Sequence, residues 1–427
     1  MLTMAPARVA RVAVVGGGWA GLAAAVEATR LGHAVTLFEM APQLGGRSRG
    51  VGQTGLDNGQ HILIGAYTET LALMRFVGVD TGQAFVRTPL RIAYPDGTGL
   101  HLGTGAPAPA FARAVWGQQG WPWTARLQVL AMAAGWALRG FRCDEALTVA
   151  ELTARLPGVV RDELTDPLCV AALNTPAADA SASVFLRVLK DALLSGPGSA
   201  DLLLPRLSLS ELLPTPAASW LERAGASVRL TRRVEQLQAQ GDAWLLDGER
   251  FDRVLLATTP MEAARLTRAV APEWSEAAGA LRYEPIVTVY LRCAGARLPE
   301  PMLALRSDAS APAQFVFDRG QLGGPAGLLA FVISGAAHWV ERGTEQTLAA
   351  TMNQALAVLA RHLPGPLQPV QVLVEKRATF RCTPQLARPT MGIARGLFAA
   401  GDHVAGPYPA TLEGAVRSGL NAARQLA

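Results

Sequence analysis

The amino-acid sequence predicts an α/β fold in which a domain with a parallel sheet is interleaved with a second domain of helices and mixed sheet. Three observations lead to this prediction. The chain begins with a strand, a glycine-rich turn, a helix and a second strand. A long helical stretch and a series of short alternating segments follow. The chain ends with a short apolar strand and a helix.

The first strand–helix–strand unit is complete by Glu39. Ala10–Val15 is a continuous apolar run, as expected of a buried parallel strand. Gly18–Leu31 has helical spacing, with Gly32 where a helix commonly ends. Ala34–Glu39 alternates between apolar and polar residues and predicts the second strand.

A G-x-G-x-x-G motif joins the first strand to the helix. Gly16 permits the tight turn, Gly18 lets the backbone approach a pyrophosphate, and Gly21 lets the helix pack closely on the strand. Trp19 and Ala20 lie between them at the helix N-terminus, whose amide groups and dipole favour an anion. The motif, in this setting, predicts a dinucleotide-binding site of the Rossmann type.

The residues after the second strand indicate which dinucleotide binds. Glu39 ends that strand, where its carboxylate can accept both hydroxyls of an adenosine ribose and disfavours the 2′-phosphate of NADP. A tight turn follows and leads into Gly45, Gly46 and Arg47. The two glycines let the backbone approach the ligand, and the arginine can offset phosphate charge.

A second binding signature lies near the C-terminus. The short strand Gly396–Ala400 ends in Gly401 and Asp402, and the helix Thr411–Leu426 follows. Such an aspartate is placed to accept a hydroxyl of a ribityl chain. Signatures at both ends of the chain suit an extended ligand, and we therefore predict FAD.

The middle of the chain supplies the second domain. A hairpin is predicted across residues 91–102, mostly helical structure over 108–195, and a long helix over 344–362. Further strands are predicted at Ala226–Leu230, Val234–Leu237, Ala243–Leu246, Arg253–Leu256, Ile286–Leu291, Gln314–Phe317, Leu328–Ser334 and Val370–Glu375. We expect residues 1–85, 216–270 and 386–427 to form the FAD-binding domain, and residues 86–215 and 271–385 the substrate domain.

These motifs resemble the FAD-dependent amine oxidase and phytoene desaturase superfamily. The resemblance implies a Rossmann-type FAD-binding domain of the GR2-like flavoproteins, interleaved with a mixed-sheet and helical substrate domain. In that superfamily a strand residue commonly contacts adenine through its backbone, and Val234 matches this position. The paired aromatic cage typical of amine oxidases is missing, since Tyr408 is the only tyrosine near the C-terminal Gly-Asp.

Four segments sharpen the resemblance to hydroxysqualene dehydroxylases. They are residues Val14–Ala25, Leu56–Tyr67, Glu375–Phe380 and Ala400–Ala415. This resemblance implies reduction of hydroxysqualene, a C30 isoprenoid alcohol, to squalene for hopanoid synthesis, alongside the upstream enzymes of the squalene pathway. The chemistry requires a general acid for the leaving hydroxyl, a dry apolar lining, and a flavin held close to the reacting carbon.

Several residues are candidates for the general acid. His61 lies in a segment that, by the resemblance, runs beside the flavin ring, and Asp57 precedes it. His403 follows Asp402. Glu413 begins the last helix, where a carboxylate caps more readily than it donates a proton. A structural role competes in each case. Lys376 could hold a water molecule near the flavin. We favour the alternative interpretation, in which it is a solvent-exposed charge at the end of a strand.

Composition narrows the partners. The chain has 427 residues and a net charge of +5, and its lysines are Lys190 and Lys376 alone, so arginine carries the basic charge. Without a basic tract interleaved with aromatics we expect no nucleic acid partner. Four scattered cysteines indicate a reduced, cytoplasmic protein without a structural metal. The apolar runs are too short for a spanning helix, and the N-terminal run lacks a cleavage site.

One helical segment combines tryptophan and arginine. Trp116, Trp121, Trp123 and Trp136 lie near Phe111, Phe141, Arg113, Arg126 and Arg139. This composition suits a bilayer interface, so the protein is expected to be soluble or peripheral on the inner face of the membrane. The alternative is that the aromatics form the core of the helical region.

Four functions remain open from the sequence. The first is reductive dehydroxylation of a triterpenoid alcohol. The second is oxidative desaturation of a polyprenoid, with the opposite electron flow, and the third is oxidation of an amine. The fourth is a non-catalytic lipid-binding role, which the intact phosphate-binding motifs disfavour.

Overall fold

The computed structural model describes residues 9–52 and 55–426. The strands are β1 (Arg11–Val15), β2 (Ala34–Phe38), β3 (Gly50–Val51), β4 (Leu56–Asp57), β5 (Leu63–Ile64), β6 (Phe85–Thr88), β7 (Arg91–Ala93), β8 (Gly99–His101), β9 (Leu202–Pro205), β10 (Ser227–Arg229), β11 (Leu237–Gln240), β12 (Ala243–Leu246), β13 (Glu249–Phe251), β14 (Arg253–Leu256), β15 (Tyr283–Arg292), β16 (Met302–Ala304), β17 (Phe315–Asp318), β18 (Leu328–Ile333), β19 (Gln368–Phe380), β20 (Gly392–Ala394) and β21 (Leu397–Ala399).

The α-helices are α1 (Trp19–Arg30), α2 (Thr68–Phe76), α3 (Pro107–Gly117), α4 (Trp123–Leu138), α5 (Val149–Thr153), α6 (Gly158–Val160), α7 (Asp166–Leu173), α8 (Ala182–Leu194), α9 (Leu209–Leu212), α10 (Pro214–Arg223), α11 (Pro260–Thr267), α12 (Pro272–Gly279), α13 (Ala337–Arg342), α14 (Thr344–Leu359) and α15 (Leu412–Arg424). A π-helical turn lies at Arg161–Thr165, and 3₁₀ turns lie at Arg319–Leu322 and Ala360–His362.

A six-stranded sheet joins the two ends of the chain. Its order is β10-β2-β1-β14-β21-β20, parallel except for β20 at the edge. The apolar runs of β1 and β14 are buried at its centre, as expected of a parallel strand covered on both faces. The C-terminal helix α15 packs against α1 so closely that a side chain at Gly419 would meet the carbonyl oxygen of Ala20. The predicted α/β class and the parallel sheet are confirmed.

The second large sheet is antiparallel, in the order β16-β17-β18-β15-β19. Helices α13 and α14 share a core with one of its faces. On the other face its side chains help to line a large cavity: Ile286, Thr288, Phe315, Phe317, Val332 and Leu373. This sheet therefore covers the cavity opposite the parallel sheet.

Helices dominate residues 107–194, as predicted, and the hairpin of β7 and β8 precedes them. The predicted strand Val234–Leu237 is wrong, because the backbone there bonds to side chains. Arg265 donates to the carbonyls of Val234 and Glu235, and Asp247 accepts from the amides of Glu235 and Gln236. The strand begins only at Leu237. The predicted domain boundaries stay a prediction.

Candidate cofactor and substrate site

The glycine corner between β1 and α1 is shaped by close backbone contacts. Gly16 has a φ of +107°, and a Cβ there would lie 2.4 Å from the carbonyl oxygen of Ala257 at the end of β14. A Cβ at Gly21 would lie 1.8 Å from the carbonyl oxygen of Gly16. Both positions therefore require glycine for packing, for the reasons predicted from the motif.

Gly18 differs, because a Cβ there would meet nothing nearer than the Cα of Gly46 at 3.9 Å. The position borders open space in the cavity. No side chain caps the N-terminus of α1, and its first turn, which contains Trp19 and Ala20, holds no acidic residue. Free amide groups beside an open cradle fit a pyrophosphate.

The turn that carries Gly45 and Gly46 packs directly on this corner. Gly45 has a φ of +112° and donates its N–H to the carbonyl of Gly17, at 2.8 Å. Gly18 and Gly45 form a parallel bridge. The indole of Trp19 is buried and donates to the carbonyl of Ser48, at 3.0 Å. The cradle is thus built from two glycine segments held at backbone contact.

Glu39 lies at the end of β2 on the cavity wall. Its carboxylate is buried and accepts the amides of Gly17, at 2.6 Å, and Ala41, at 2.8 Å. A carboxylate has room for further donors on its remaining lone pairs. The residue therefore fixes the glycine corner and still presents acceptor capacity to a ribose.

Arg47 and Asp402 bring the two ends of the chain together. Their side chains form an ion pair at 2.7 Å, and Arg47 also donates to the carbonyl of Ala378, at 2.7 Å. Burial alone would raise the pKa of Asp402, but Arg47 and the neighbouring His403 hold this pKa well below its ordinary value. Asp402 is therefore ionised, and its oxygens can accept a hydroxyl hydrogen.

The remaining predicted cofactor residues also border the cavity. Gly401 donates its amide to Ser418 Oγ, at 3.0 Å, which orients the turn after β21. Val234 is buried at the wall, with its carbonyl already bonded to Arg265. Its amide is the backbone group that could contact adenine.

One cavity of about 540 Å³ unites these residues. Of the predicted cofactor positions, Gly16, Gly18, Trp19, Ala20, Glu39, Gly45, Gly46, Arg47, Val234, Gly401 and Asp402 line it. Gly21 does not line it and acts through packing. The cavity runs from the glycine corner to the antiparallel sheet, as an elongated dinucleotide requires, and its donors and acceptors fit FAD.

Asp57 is also predicted to be catalytic, but it is not among the described residues that line the cavity. It is buried in β4, where it accepts the amide of Leu209, at 2.9 Å, and lies 3.5 Å from Arg319. Burial raises the pKa of its carboxyl group. These contacts anchor the segment that carries His61, and the predicted catalytic role of Asp57 stays a prediction.

His61 does line the cavity. Burial is the main cause that lowers its pKa to about 4, and Arg47 lowers it further. The imidazole is neutral near pH 7, so it can donate a hydrogen bond but does not hold the proton of a strong general acid. Its predicted catalytic role stays untested, and its charge state favours a positioning role.

The remaining residues considered from the sequence, Glu413, His403 and Lys376, lie in different surroundings. Glu413 is fully buried and accepts the amides of Glu69 and Thr70 at the start of α2, with Arg417 as its ion-pair partner at 2.7 Å. His403 is buried against Asp402, with its Nδ1 3.9 Å from the carboxylate. Lys376 is exposed on β19, as favoured from the sequence.

A second cavity of about 210 Å³ adjoins the first and is lined mainly by apolar side chains. Helices α3, α4, α7 and α8 surround this apolar chamber, through residues such as Phe111, Met132, Trp136, Leu168 and Phe185. The charged residues among those described on its wall, Arg91 and Asp191, are held in ion pairs with Glu300 and Arg187. The chamber suits a hydrocarbon.

The two cavities share six lining residues: Ile62, Tyr67, Ala171, Ala172, Phe315 and Thr411. Only Tyr67 and Thr411 among the six carry a hydroxyl group. The Tyr67 hydroxyl lies beside the Thr411 side chain, and burial, followed by the charge of Glu413, raises the pKa of Tyr67. Tyr67 and Thr411 are not among the candidate reactive residues predicted from the sequence. The position of Tyr67 within the segment Leu56–Tyr67, which carries the family resemblance, could have indicated it.

Comparison with known proteins identifies the class. The chain belongs to the flavin-containing amine oxidoreductase family, whose model matches residues 19–427. Like other members it is an FAD-dependent oxidoreductase. Its fold is similar to that of an oxidoreductase from Methanosarcina mazei, with a TM-score of 0.74, 14% identity and coverage of 97% of this chain and 100% of the other. Cyclohexylamine oxidase from Brevibacterium oxydans has a TM-score of 0.71, at 15% identity and coverage of 98% and 99%.

Within this family the chain is similar to hydroxysqualene dehydroxylases, as the sequence motifs predicted. The protein of that name from Rhodopseudomonas palustris is 30% identical over 96% of this chain and 97% of its own length. The one from Sinorhizobium fredii is 28% identical, with the same coverage of both chains. A 15-cis-phytoene desaturase from Narcissus pseudonarcissus is 23% identical over 99% of this chain and 80% of its own.

Proposed function

We propose that the protein reduces hydroxysqualene to squalene in an FAD-dependent reductive dehydroxylation that supplies hopanoid synthesis. The observation that carries this proposal is the apolar chamber that opens onto the cofactor cavity at Tyr67. A C30 alcohol is almost entirely hydrocarbon, and the chamber offers it apolar side chains with paired charges only. An amine, by contrast, would need an acceptor for its charge.

The cofactor is held, in this proposal, by the residues of the first cavity. The amides at the start of α1 bind the pyrophosphate, Glu39 binds the adenosine ribose, and Asp402 binds a ribityl hydroxyl. Arg47 keeps Asp402 ionised. Reduced FAD supplies the hydride that replaces the hydroxyl group.

Tyr67 is the proton donor for the leaving group in this proposal. The carbon–oxygen bond breaks, the oxygen departs as water with a proton from Tyr67, the carbon takes the hydride, and solvent returns the proton to the phenolate. A phenol is a stronger acid than water, so a departing hydroxide takes its proton favourably. The apolar walls around the junction exclude water from the allylic carbon.

Product analysis tests the proposal. Purified protein, with its flavin reduced under anaerobic conditions, is incubated with hydroxysqualene dissolved in detergent, and the products are separated by gas chromatography. We expect squalene in amounts equal to the flavin oxidised in a single turnover. Desaturated products from squalene or phytoene with oxidised flavin would instead indicate a polyprenoid desaturase. Peroxide formation with amines would indicate an amine oxidase.

The site of action in this proposal is the cytoplasm, next to the inner face of the membrane. A C30 alcohol partitions into lipid, so the enzyme must collect it there, after the upstream enzymes of the squalene pathway have formed it. Among the described residues, no helix has the length and apolar character needed to cross a bilayer.

A further inference from the structure

We propose that the outward face of α4 is a docking surface for an anionic lipid bilayer. The proposed function enters only through the nature of the substrate; the surface itself is argued from α4. The helix has 16 residues, Trp123–Leu138. Along one side it presents Trp123, Leu127, Ala131, Ala134 and Leu138, at intervals of three and four residues that place them on one helical face.

These apolar residues are exposed. Trp123 is 68%, Leu127 43% and Leu138 90% exposed, and Trp116 at the end of the preceding helix is 58% exposed. Arg126 joins the two helices by donating to the carbonyls of Trp116 and Trp121. Trp121 and Trp136 are buried, so the tryptophans predicted from the sequence divide between a core and a surface. An exposed patch of this kind marks an interaction site.

The charge around the patch specifies its partner. Residues 97–143 contain no aspartate or glutamate, but they contain Arg113, Arg126, Arg139 and Arg142. Arg113, Arg139 and Arg142 are exposed and form no ion pair within the described residues. Unpaired arginines beside exposed tryptophan complement an anionic lipid surface, where rings lie at headgroup level and cations meet phosphate.

The inward face of the same helix connects the docking surface to the substrate site. Val129, Met132, Ala133 and Trp136 line the apolar chamber. A single helix, about 10 Å thick, therefore separates the chamber from the proposed bilayer. A hydrocarbon taken up beside α4 would therefore lie about one helix diameter from the chamber.

Vesicle flotation of the purified, FAD-loaded protein tests the surface. We expect binding to phosphatidylcholine vesicles that contain about 30% phosphatidylglycerol, and much weaker binding to pure phosphatidylcholine or at high salt. The double variant Trp123→Ser with Leu127→Ser should bind about tenfold more weakly. Leu356→Ser, at a residue that is 50% exposed on α14, is the matched control and should bind as wild type does.

A charge series and a mass measurement complete the test. Arg139→Gln should weaken binding to the anionic vesicles about fivefold, whereas Arg292→Gln, at an exposed arginine on β15, should have no effect. Wild-type protein that does not float with anionic vesicles would overturn the proposal. So would a serine double variant that floats normally but shifts the protein from dimer to monomer in ultracentrifugation, since a second copy would then cover the face.

Activity measurements keep this proposal separate from the proposed function. The serine double variant should turn over substrate dissolved in detergent at the wild-type rate, but substrate presented in vesicles about tenfold more slowly. Absence of squalene in both formats, with normal flotation, would contradict the function alone. Equal loss in both formats would contradict the docking role.

Discussion

The cofactor cavity and the apolar chamber meet at the same six residues but are lined by different parts of the chain. Backbone at glycine positions and a few buried charges, drawn from both ends of the sequence, shape the first. Apolar side chains, most of them from the helical stretch and its neighbouring strands, line the second. The difference shows that a polar ligand depends on specific donor and acceptor atoms. A hydrocarbon depends on the size of an apolar cavity, whose lining residues can be replaced by other apolar residues.

The largest effect is expected from closing the cradle at Gly18. Gly18→Ala should lower FAD affinity on the order of a hundredfold, because the new methyl group occupies the approach of the pyrophosphate. The protein itself should tolerate alanine, since φ at Gly18 is −74° and no atom lies within 3.9 Å of the new Cβ. Flavin titration and thermal unfolding measure the two quantities.

Gly103→Ala serves as its control, because Gly103 is a loop glycine with open space around it. An alanine at Gly18 that retained FAD at wild-type affinity would contradict the cradle.

The second largest effect is expected at Tyr67, where the cofactor cavity meets the apolar chamber. Tyr67→Phe should lower kcat about a hundredfold with unchanged FAD content, as removal of a general acid does. Tyr408→Phe is the matched variant, because Tyr408 lines the chamber but not the cofactor cavity. Steady-state kinetics and the flavin spectrum distinguish the two. Equal effects on kcat would show that Tyr67 has no special role.

Narrowing the chamber should act on the substrate alone. Ala133→Phe, on the inward face of α4, should raise KM for the C30 alcohol about tenfold and leave flavin binding unchanged, since it fills part of the 210 Å³ space. Ala134→Phe places the same side chain one residue along, on the exposed face. With substrate in detergent it should behave as wild type. A raised KM for both variants would point to a general disturbance of the helix.

The smallest effect is expected at His61. Its pKa of about 4 keeps it neutral at working pH, so His61→Asn should lower kcat by less than about threefold and leave the pH–rate profile unchanged between about pH 5.5 and 8. The pKa of His61 in the folded state lies below its unfolded value of about 6.5. Between these two pKa values the unfolded chain therefore binds more protons than the folded chain. Wild type should therefore lose stability relative to the variant as the pH falls from 6.5 towards 4.

Much of the cofactor site could be predicted because its signals are local. Gly21 is required by a backbone contact within one turn, the positive φ of Gly16 belongs to that same turn, and Gly401 with Asp402 lies just after the last strand. The role of Asp57 could not be predicted in the same way. Whether its carboxylate is directed to the cavity or to Arg319 depends on a neighbour far along the chain. The function of Tyr67 depends likewise on Thr411, at the opposite end of the sequence.

The periodicity of α4 shows a similar limit. Its sequence is apolar on nearly every side, so spacing alone could not separate the buried Trp136 from the exposed Trp123. The structure orients the helix by packing against α3 and the chamber. The predicted strand at Val234 failed for a related reason, since the side chains of Arg265 and Asp247 took over the hydrogen bonds of a backbone with strand-like composition.

The ion pair between Arg47 and Asp402 has a consequence for biogenesis. Asp402 is synthesised 355 residues after Arg47, and β21 and α15 must then insert beside β14 and α1. The complete flavin site therefore forms only after β21 and α15 have been synthesised, long after the N-terminal glycine corner. Chains truncated before this point should emerge colourless, however well their first βαβ unit is made.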